Sequence, residues 1–278
     1  MPPEGGNPFK TRGADSAQAL LLVVIGEFAY PRDRPVWNST FVQALSLLDL
    51  EPPAIGAAIR RAAASGLLTP IRSGRRVAWQ LTAPAEELLS AGGERVFSFR
   101  VVTDDWDGRW LMIWVSVPER RKGLRHQLRR RLEWLGFGSP TPGLWLSPHA
   151  GRAPDARRVL DDLGLSGQAI SSIGPFGPVG DERAMVRSAW DLESLAAAYS
   201  DFSDTFGALR PRTDAEAFRA HVGMTQSWRR FPYVDPLLPR QFLPARWPGE
   251  AAARLVKHYR ERWGERSRRV WELLRDGA

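Results

Sequence analysis

Apolar residues recur at helical spacing from Ser16 onward, with Ala17, Leu20, Leu21, Val24, Ile25 and Phe28 covering a broad face. Pro31 and Pro35 bound a loop. A second helix starts near Asn38 or Ser39, either of which can cap it, and uses Phe41, Val42, Leu45 and Leu48. Asp49 to Pro53 forms a turn, and Pro53 suits the start of a third helix, where a missing N–H costs nothing. That helix turns Ile55, Ala58, Ile59 and Ala62 inward and ends at Ser65-Gly66, with Gly66 as the left-handed stop. Leu67 to Ile71 and Val77 to Leu81 have strand character and flank the turn Arg72-Ser73-Gly74-Arg75. Short helices followed by a basic hairpin give the outline of a winged helix-turn-helix.

A second pattern begins after Gly92-Gly93. Trp110 to Val117 is apolar apart from Ser116 and reads as a buried strand. Glu119 to Leu135 reads as a helix, with Leu124, Leu128, Leu132 and Leu135 on one side and Gly136 as its stop. Phe137-Gly138 and Gly143 to Leu146 form a hairpin pair around Pro140 and Pro142. Pro154 to Leu163 is a further helix and Gln168 to Ile173 a last strand. The order βαββαβ is that of a ferredoxin-like domain. Beyond it the pattern is helical. Leu192, Leu195, Tyr199, Phe202, Phe206 and Leu209 place a helix over Asp191 to Leu209, and Thr213 to Trp228 is another. A proline-rich connector leads to a last helix or helix pair from Gly249 to about Arg275. The expected fold class is α+β: a disordered arm (1–15), a winged helix (16–92), a ferredoxin-like domain (93–180) and a helical C-terminal domain (181–278).

Composition narrows the chemistry. With no cysteine there are no disulfides or thiolate ligands, and His126, His149, His221 and His258 lack ligand spacing, so no metal site and no cofactor are expected. The longest apolar run, Ala19 to Ile25, is far short of the roughly 20 residues of a membrane span. The N-terminus carries Pro, Gly and acids ahead of that run, unlike a signal peptide, so a cytoplasmic protein without a membrane partner is expected. The net charge of +8 favours a polyanionic partner. Where the charge falls says more. Between Glu51 and Glu86 no acid occurs, yet Arg60 and Arg61 sit on the third helix and Arg72, Arg75 and Arg76 on the hairpin. Those are the elements a winged helix presses against double-stranded DNA. Arginine there can reach a guanine edge or phosphate, whereas the plain alternative is a solvated helix face. The helix from Glu119 also carries Arg120, Arg121, Lys122, Arg125, Arg129, Arg130 and Arg131 against Glu119 and Glu133, and reads first as the exposed face of an amphipathic helix, with a site for a ligand's phosphates or an accessory DNA contact as the alternative.

Three stretches together resemble the PaaX family, repressors of phenylacetic acid catabolic operons. In the first, a helix ending SGLL leads into RSGRRVAWQLT. The second is WDGRWLMIWVSVPE (Trp106 to Glu119) with RRRLEWLGFGSPTPGLWLSP (Arg129 to Pro148), and the third is AFRAHVGMTQSWRRFPYVDPLLPRQFLPARWPG (Ala217 to Gly249). The resemblance implies a homodimeric repressor of an inverted-repeat operator, with a winged helix, a ferredoxin-like middle domain similar to a CRISPR adaptation nuclease, and a helical C-terminal domain. It also implies release from DNA by an aryl-acyl-CoA effector, phenylacetyl-CoA or a relative. The helix PPAIGAAIRRAAAS departs from the pattern in being rich in alanine and poor in polar base readers.

An acyl-CoA presents a flat adenine, phosphates and an acyl tail, which calls for arginine beside aromatic rings. Two segments combine both: Trp106, Arg109 and Trp110, and Trp228, Arg229, Arg230 and Tyr233. A pocket is expected where the middle and C-terminal domains meet; the plain alternative is that these residues only cement that junction. An enzymatic rival, a metal-dependent nuclease, would draw on Asp104, Asp105 and Asp107. Those enzymes need an acid at the end of the first strand, and Ser116-Val117-Pro118 stands there, so a non-enzyme is expected. Asp107-Gly108-Arg109 reads instead as a turn with a local ion pair. A third reading keeps the DNA module and replaces the acyl-CoA with another small molecule.

Overall fold

The computed structural model describes residues 14–30, 34–97, 99 and 106–277. The arm expected over residues 1–15 lies outside these except for Ala14 and Asp15, which begin the first helix, and Asp104 and Asp105 also lie outside them. In chain order the elements begin with helix α1 (Ala14–Val24), which passes into a π-helical turn (Ile25–Ala29). Strand β1 (Val36–Trp37), helices α2 (Asn38–Ser46) and α3 (Pro52–Ala64), strands β2 (Leu68–Ser73) and β3 (Arg76–Leu81) and helix α4 (Ala83–Phe97) follow. Next come strand β4 (Arg109–Val115), helix α5 (Lys122–Trp134), strands β5 (Gly138–Thr141) and β6 (Leu144–Ser147), helix α6 (Ala153–Asp162) and strand β7 (Ala169–Pro175). The last helices are α7 (Glu182–Ala189), α8 (Leu192–Gly207), α9 (Asp214–Trp228), α10 (Phe231–Val234) and α11 (Pro248–Asp276). The fold class is α+β, two small antiparallel sheets among helices. Among the described residues no helix is long and apolar enough to cross a membrane.

Local chemistry explains most boundaries. Pro52 and Pro53 occupy the first turn of α3, and Gly66, at φ +75°, stops it. The hairpin is tighter than its sequence suggests. Ser73 pairs with Arg76, which leaves only Gly74 and Arg75 in the turn, and Gly74 sits at φ +59° while Arg75 does not take positive φ. That is the pattern of a type II′ turn, whose twist matches the flanking strands, so β2 extends past Ile71. At α9 the Thr213 hydroxyl accepts the Glu216 N–H and the Glu216 carboxylate accepts the Thr213 N–H, a reciprocal cap. The pair Gly92-Gly93, read as the start of a new unit, lies inside α4. Two glycines weaken a helix by about 1 kcal/mol each without breaking it when neighbours such as Ala85 and Val96 are buried.

The chain forms two compact units, and the helices of segment 181–278 are shared between them. The first unit comprises the described residues of Met1–Phe99, Phe202–Arg229 and Arg254–Ala278. Its sheet has the order β1-β3-β2. Leu21, Val24 and Ile25 from the start of the chain, Phe41 and Leu45 from α2, and Ile55, Ile59 and Ala62 from α3 make one core with Phe218 and Val222 of α9 and Val270 and Trp271 of α11. Phe28 stacks between Phe218, at 5.1 Å, and Trp271, at 5.8 Å. Helices α9 and α11 thus brace the helices that carry the basic hairpin.

The second unit comprises the described residues of Arg100–Asp201 and Arg230–Ala253. Its sheet has the order β5-β6-β4-β7, with every neighbouring pair antiparallel. Leu111, Ile113 and Val115 face one side of β4 and pack on Leu128 and Leu132 of α5 and Leu160 of α6. Trp110 faces the other side and packs with Leu146, Val186, Leu238 and Phe242. Gly138 on β5 admits α7, because a Cβ there would lie 2.4 Å from the Trp190 ring and 2.8 Å from the Ala189 carbonyl.

Candidate nucleic-acid interface and a second cleft

In the first unit, a cleft of about 550 Å³ opens between α3, the β2–β3 hairpin and the start of α2. Trp37, Asn38, Ser39, Gly56, Arg60, Arg75, Arg76 and Trp79 are among its walls. The hairpin is fixed to α2 by the Trp79 indole N–H, which donates to Asn38 Oδ1 at 3.1 Å, and by the pairing of Trp37 with Ala78. Arg76 lies over the Trp37 ring, 4.3 Å from its centroid. Gly56 leaves room for Arg60, whose Nη1 would be 3.3 Å from a Cβ at that position. The first residues of α2 add their backbone N–H groups, since no side chain caps that helix. Arg60, Arg72, Arg75 and Arg76 are exposed, and none forms an ion pair with a described acidic residue. Guanidinium groups beside a helix N-terminus make an anion-binding surface.

Of the five arginines expected to meet DNA, the structure brings Arg60, Arg75 and Arg76 together. Arg72 is exposed on β2 outside the walls of this cleft. Arg61 points elsewhere: it is half-buried and its Nε donates to Gln18 Oε1 of α1 at 3.1 Å. Successive helix residues are about 100° apart, so Arg60 and Arg61 face different neighbours. Trp37, Asn38 and β1 are not legible in the sequence as parts of this surface, because a two-residue strand leaves no alternation to read.

The expected effector residues fall in both units. Trp228 and Arg229 belong to the first unit; Trp106, Arg109, Trp110, Arg230 and Tyr233 belong to the second. Trp228 is buried, its indole N–H donates to the Val96 carbonyl at 3.2 Å, and its ring lies 5.5 Å from that of Phe202. Arg229 follows the last turn of α9 and is half-buried. Trp110 is 1% exposed and donates to Glu182 Oε1 at 2.8 Å. The Trp106 ring packs on Trp110 at 5.1 Å and on Phe242 at 5.4 Å. Arg109 closes a turn with Asp107, Nη2 to Oδ2 at 2.8 Å, and that guanidinium holds the Asp107 carboxyl below the usual carboxylate range. Trp106 and Trp110 therefore serve the core of this unit, since rings so large contribute most when packed.

Arg230 and Tyr233 line a different cleft, of about 570 Å³, bounded by the end of α5, the α7–α8 junction and α10. Its walls draw on both of the segments 93–180 and 181–278. The rings of Trp134 and Tyr233 stack there, 4.3 Å apart and inclined by 21°. The turn behind α10 is tightly organised. Asp235 is 4% exposed, and its carboxyl accepts the Tyr199 hydroxyl and the Leu237 N–H, each at 2.7 Å. Burial pushes the Asp235 carboxyl up to about 6, against the hydrogen bonds from Tyr199 and Leu237, and burial also raises the Tyr199 phenol. Tyr199 in turn stacks on Phe231 at 4.1 Å. His149 Nε2 lies 3.2 Å from the Pro236 carbonyl and 3.1 Å from that of Leu237, and burial lowers its pKa.

On the basic helix α5 and the turn before it, Arg125 pairs with Glu119, Arg129 with Glu133 and Arg131 with Asp162, while Arg120, Arg121, Lys122 and Arg130 have no ion pair among the described residues. Most of its charge faces solvent. Among the described residues no three His, Asp or Glu side chains gather into a group that could hold a metal ion.

Three family models match successive stretches of the chain: PaaX-like protein over residues 16–85, PaaX protein central Cas2-like domain over 103–186, and PaaX-like protein C-terminal domain over 190–273. Transcriptional repressor PaaX of Escherichia coli strain K12 is 26% identical over 252 residues, spanning 86% of this chain and 78% of that protein. The solved structure of uncharacterized protein Rv0674 from Mycobacterium tuberculosis is similar at a TM-score of 0.61 and 18% identity, covering 89% of this chain and 97% of that one. The latter is a likeness of fold.

Proposed function

Because the chain belongs to the PaaX family, we propose that it is a DNA-binding transcriptional repressor of a phenylacetate-type catabolic operon. The observation that carries this reading is the arginine-lined cleft between α3 and the β2–β3 hairpin, in a segment that the family's first model matches. We read that segment as a winged helix, with α3 as the recognition helix and the hairpin as the wing. Arg60 then lies where it meets a base edge or the adjacent phosphate, and Arg75 and Arg76 meet backbone. A wing of this kind supplies affinity and salt dependence more than sequence choice.

The order β5-β6-β4-β7, with α5 and α6 as crossovers, supports reading the central segment as ferredoxin-like. The three matches support a division near residues 16–92, 93–180 and 181–278. We propose a cytoplasmic homodimer, because one winged unit reads one half-site and an inverted repeat mirrors a two-fold axis. The effector is an aryl-acyl-CoA, and it releases DNA by binding the DNA-incompetent arrangement more tightly than the competent one. The test is retardation of a duplex carrying the promoter of a phenylacetate catabolic operon, in EDTA and again after Mg²⁺ or Mn²⁺ is restored. A specific shift without strand cleavage is expected. Cleavage on restoring the metal would make the protein a nuclease and end the repressor reading.

A further inference from the structure

We propose that the cleft beside Trp134 and Tyr233 is the ligand site, and that it takes an aryl or short acyl group carried on a phosphate-bearing arm. This rests on the effector reading above and gives that effector a place built from Arg230 and Tyr233, from Trp134, which is not among the sequence candidates, and from Arg130, on a helix whose sequence reads as a solvated face or as a site for ligand phosphates.

The cleft has an apolar floor and a cationic rim. Phe137, Leu195 and Phe231 at the floor are buried, and Trp190 and Leu192 are half-buried beside them. Trp134 stands at the mouth with 55% of its surface exposed, stacked on Tyr233. A large indole left open to water beside an apolar slot is a platform for a flat or hydrocarbon group. At the rim, Arg130 and Arg230 form no ion pair with a described residue. The acids nearby are committed. Glu133 is held by Arg129 at 2.8 Å, and Asp191 accepts the Ser194 N–H at 2.9 Å as it caps α8. Two guanidiniums without a carboxylate partner over an apolar slot match an amphiphilic anion, with the hydrocarbon end inside and negative charge at the lip. A volume of about 570 Å³ exceeds what an aryl-acyl group needs and leaves room for part of its carrier.

The site is also built to hold its shape. Arg230 and Tyr233 are carried by α10 and its preceding residue, and the Asp235 carboxyl ties the turn after α10 to Tyr199. Tyr199 stacks on Phe231 from below, and Leu237 is held at φ +57°. A rim residue on so constrained a turn loses little freedom when it meets a ligand.

Calorimetry on the full-length protein tests the assignment, with phenylacetyl-CoA, free coenzyme A and phenylacetate as separate probes. The variants are Trp134→Ala and the double variant Arg130→Ala/Arg230→Ala, with Arg120→Ala/Arg121→Ala as a basic control outside the cleft. Circular dichroism and operator retardation without ligand establish that each variant is folded and binds DNA. The wild type is expected to bind the thioester, with phenylacetate and coenzyme A weaker. Trp134→Ala and the cleft double variant should each weaken thioester binding by about tenfold or more, while the control binds as wild type. Undiminished binding by both cleft variants would overturn this site and leave the effector reading standing. A wild type that binds none of the probes would overturn both, with the repressor reading then judged on operator retardation alone.

Discussion

Replacing Arg260 with alanine should destabilise the first unit by an amount that grows as pH rises. Glu27, in the π-helical turn after α1, is a carboxylate with only 8% of its side chain exposed. Arg260 Nη2 of α11 lies 3.6 Å from its Oε2, His221 Nε2 of α9 lies 3.5 Å from it, and the Thr225 hydroxyl reaches Oε1 at 3.5 Å. Burial raises the Glu27 pKa while Arg260 opposes that rise. Burial together with Arg260 and Arg268 lowers His221 to about 4. At neutral pH the His221 imidazole is therefore neutral, beside a Glu27 carboxyl whose ionised form is favoured by Arg260. Without Arg260, the buried carboxylate loses its counter-charge, and a proton on Glu27 or on His221 takes its place. The variant's native state then holds a proton more tightly than the wild type's, up to one proton more as pH rises above the ordinary carboxylate range.

A folded state that holds a proton more tightly than the unfolded chain loses stability as pH rises, at most about 1.4 kcal/mol per pH unit for one proton. The ceiling over about two units is about 2.7 kcal/mol. Because 39% of the Arg260 side chain is exposed, water screens part of its interaction, and we expect about 1–2 kcal/mol. Loss of the guanidinium from the Phe97 ring, 3.3 Å from its centroid, adds about 0.5–1 kcal/mol that does not vary with pH. Urea unfolding of wild type and Arg260→Ala, followed by far-ultraviolet circular dichroism at about pH 5, 6 and 7, measures the difference. Adding Glu27→Gln to the variant should flatten the slope. A deficit equal at both ends of the range would refute the proposed coupling.

Two further outcomes rest on the same packing arguments. Trp271→Ala, which removes a ring 3% exposed and packed on Phe28 and Phe41, should cost about 3–5 kcal/mol in thermal or chemical unfolding and weaken operator binding, because α11 braces α1 and α2. In the second unit, Asp235 is raised to about 6 and so holds its proton more tightly folded than unfolded. That contribution is fully present below about pH 4 and is lost as pH rises through about 6, so Asp235→Asn should show a flatter stability profile between those values than wild type, and a profile of equal slope would contradict this.

The strongest periodic patterns are legible in the sequence. The apolar stripes of α3, α5 and α8 place those helices to within a few residues, since burial is a local signal. Partner choice is less legible. Nothing in the spacing within α9 and α11 tells that Val222 and Trp271 complete the core of the first helices, because an apolar stripe specifies a face and not what covers it. The buried Glu27–His221–Arg260 cluster joins a turn and two helices far apart in the chain. The basic character of α3 and the hairpin is visible, but only the fold separates Arg60, which faces the cleft, from Arg61, which faces Gln18. Trp134 carries a usable signal: it is a large aromatic residue away from the Leu128 and Leu132 side of its helix.

The most direct test of the central claim is the affinity of wild type and of Arg75→Ala/Arg76→Ala for an operator duplex, titrated by fluorescence anisotropy across a range of salt concentrations. If the hairpin is the wing that lies on DNA, the double variant binds both operator and unrelated duplex more weakly. Its plot of log affinity against log salt is then shallower by about 2, because each arginine removed leaves one phosphate un-neutralised and its counterion in place. Unchanged affinity and unchanged salt dependence in a folded double variant would contradict the assignment.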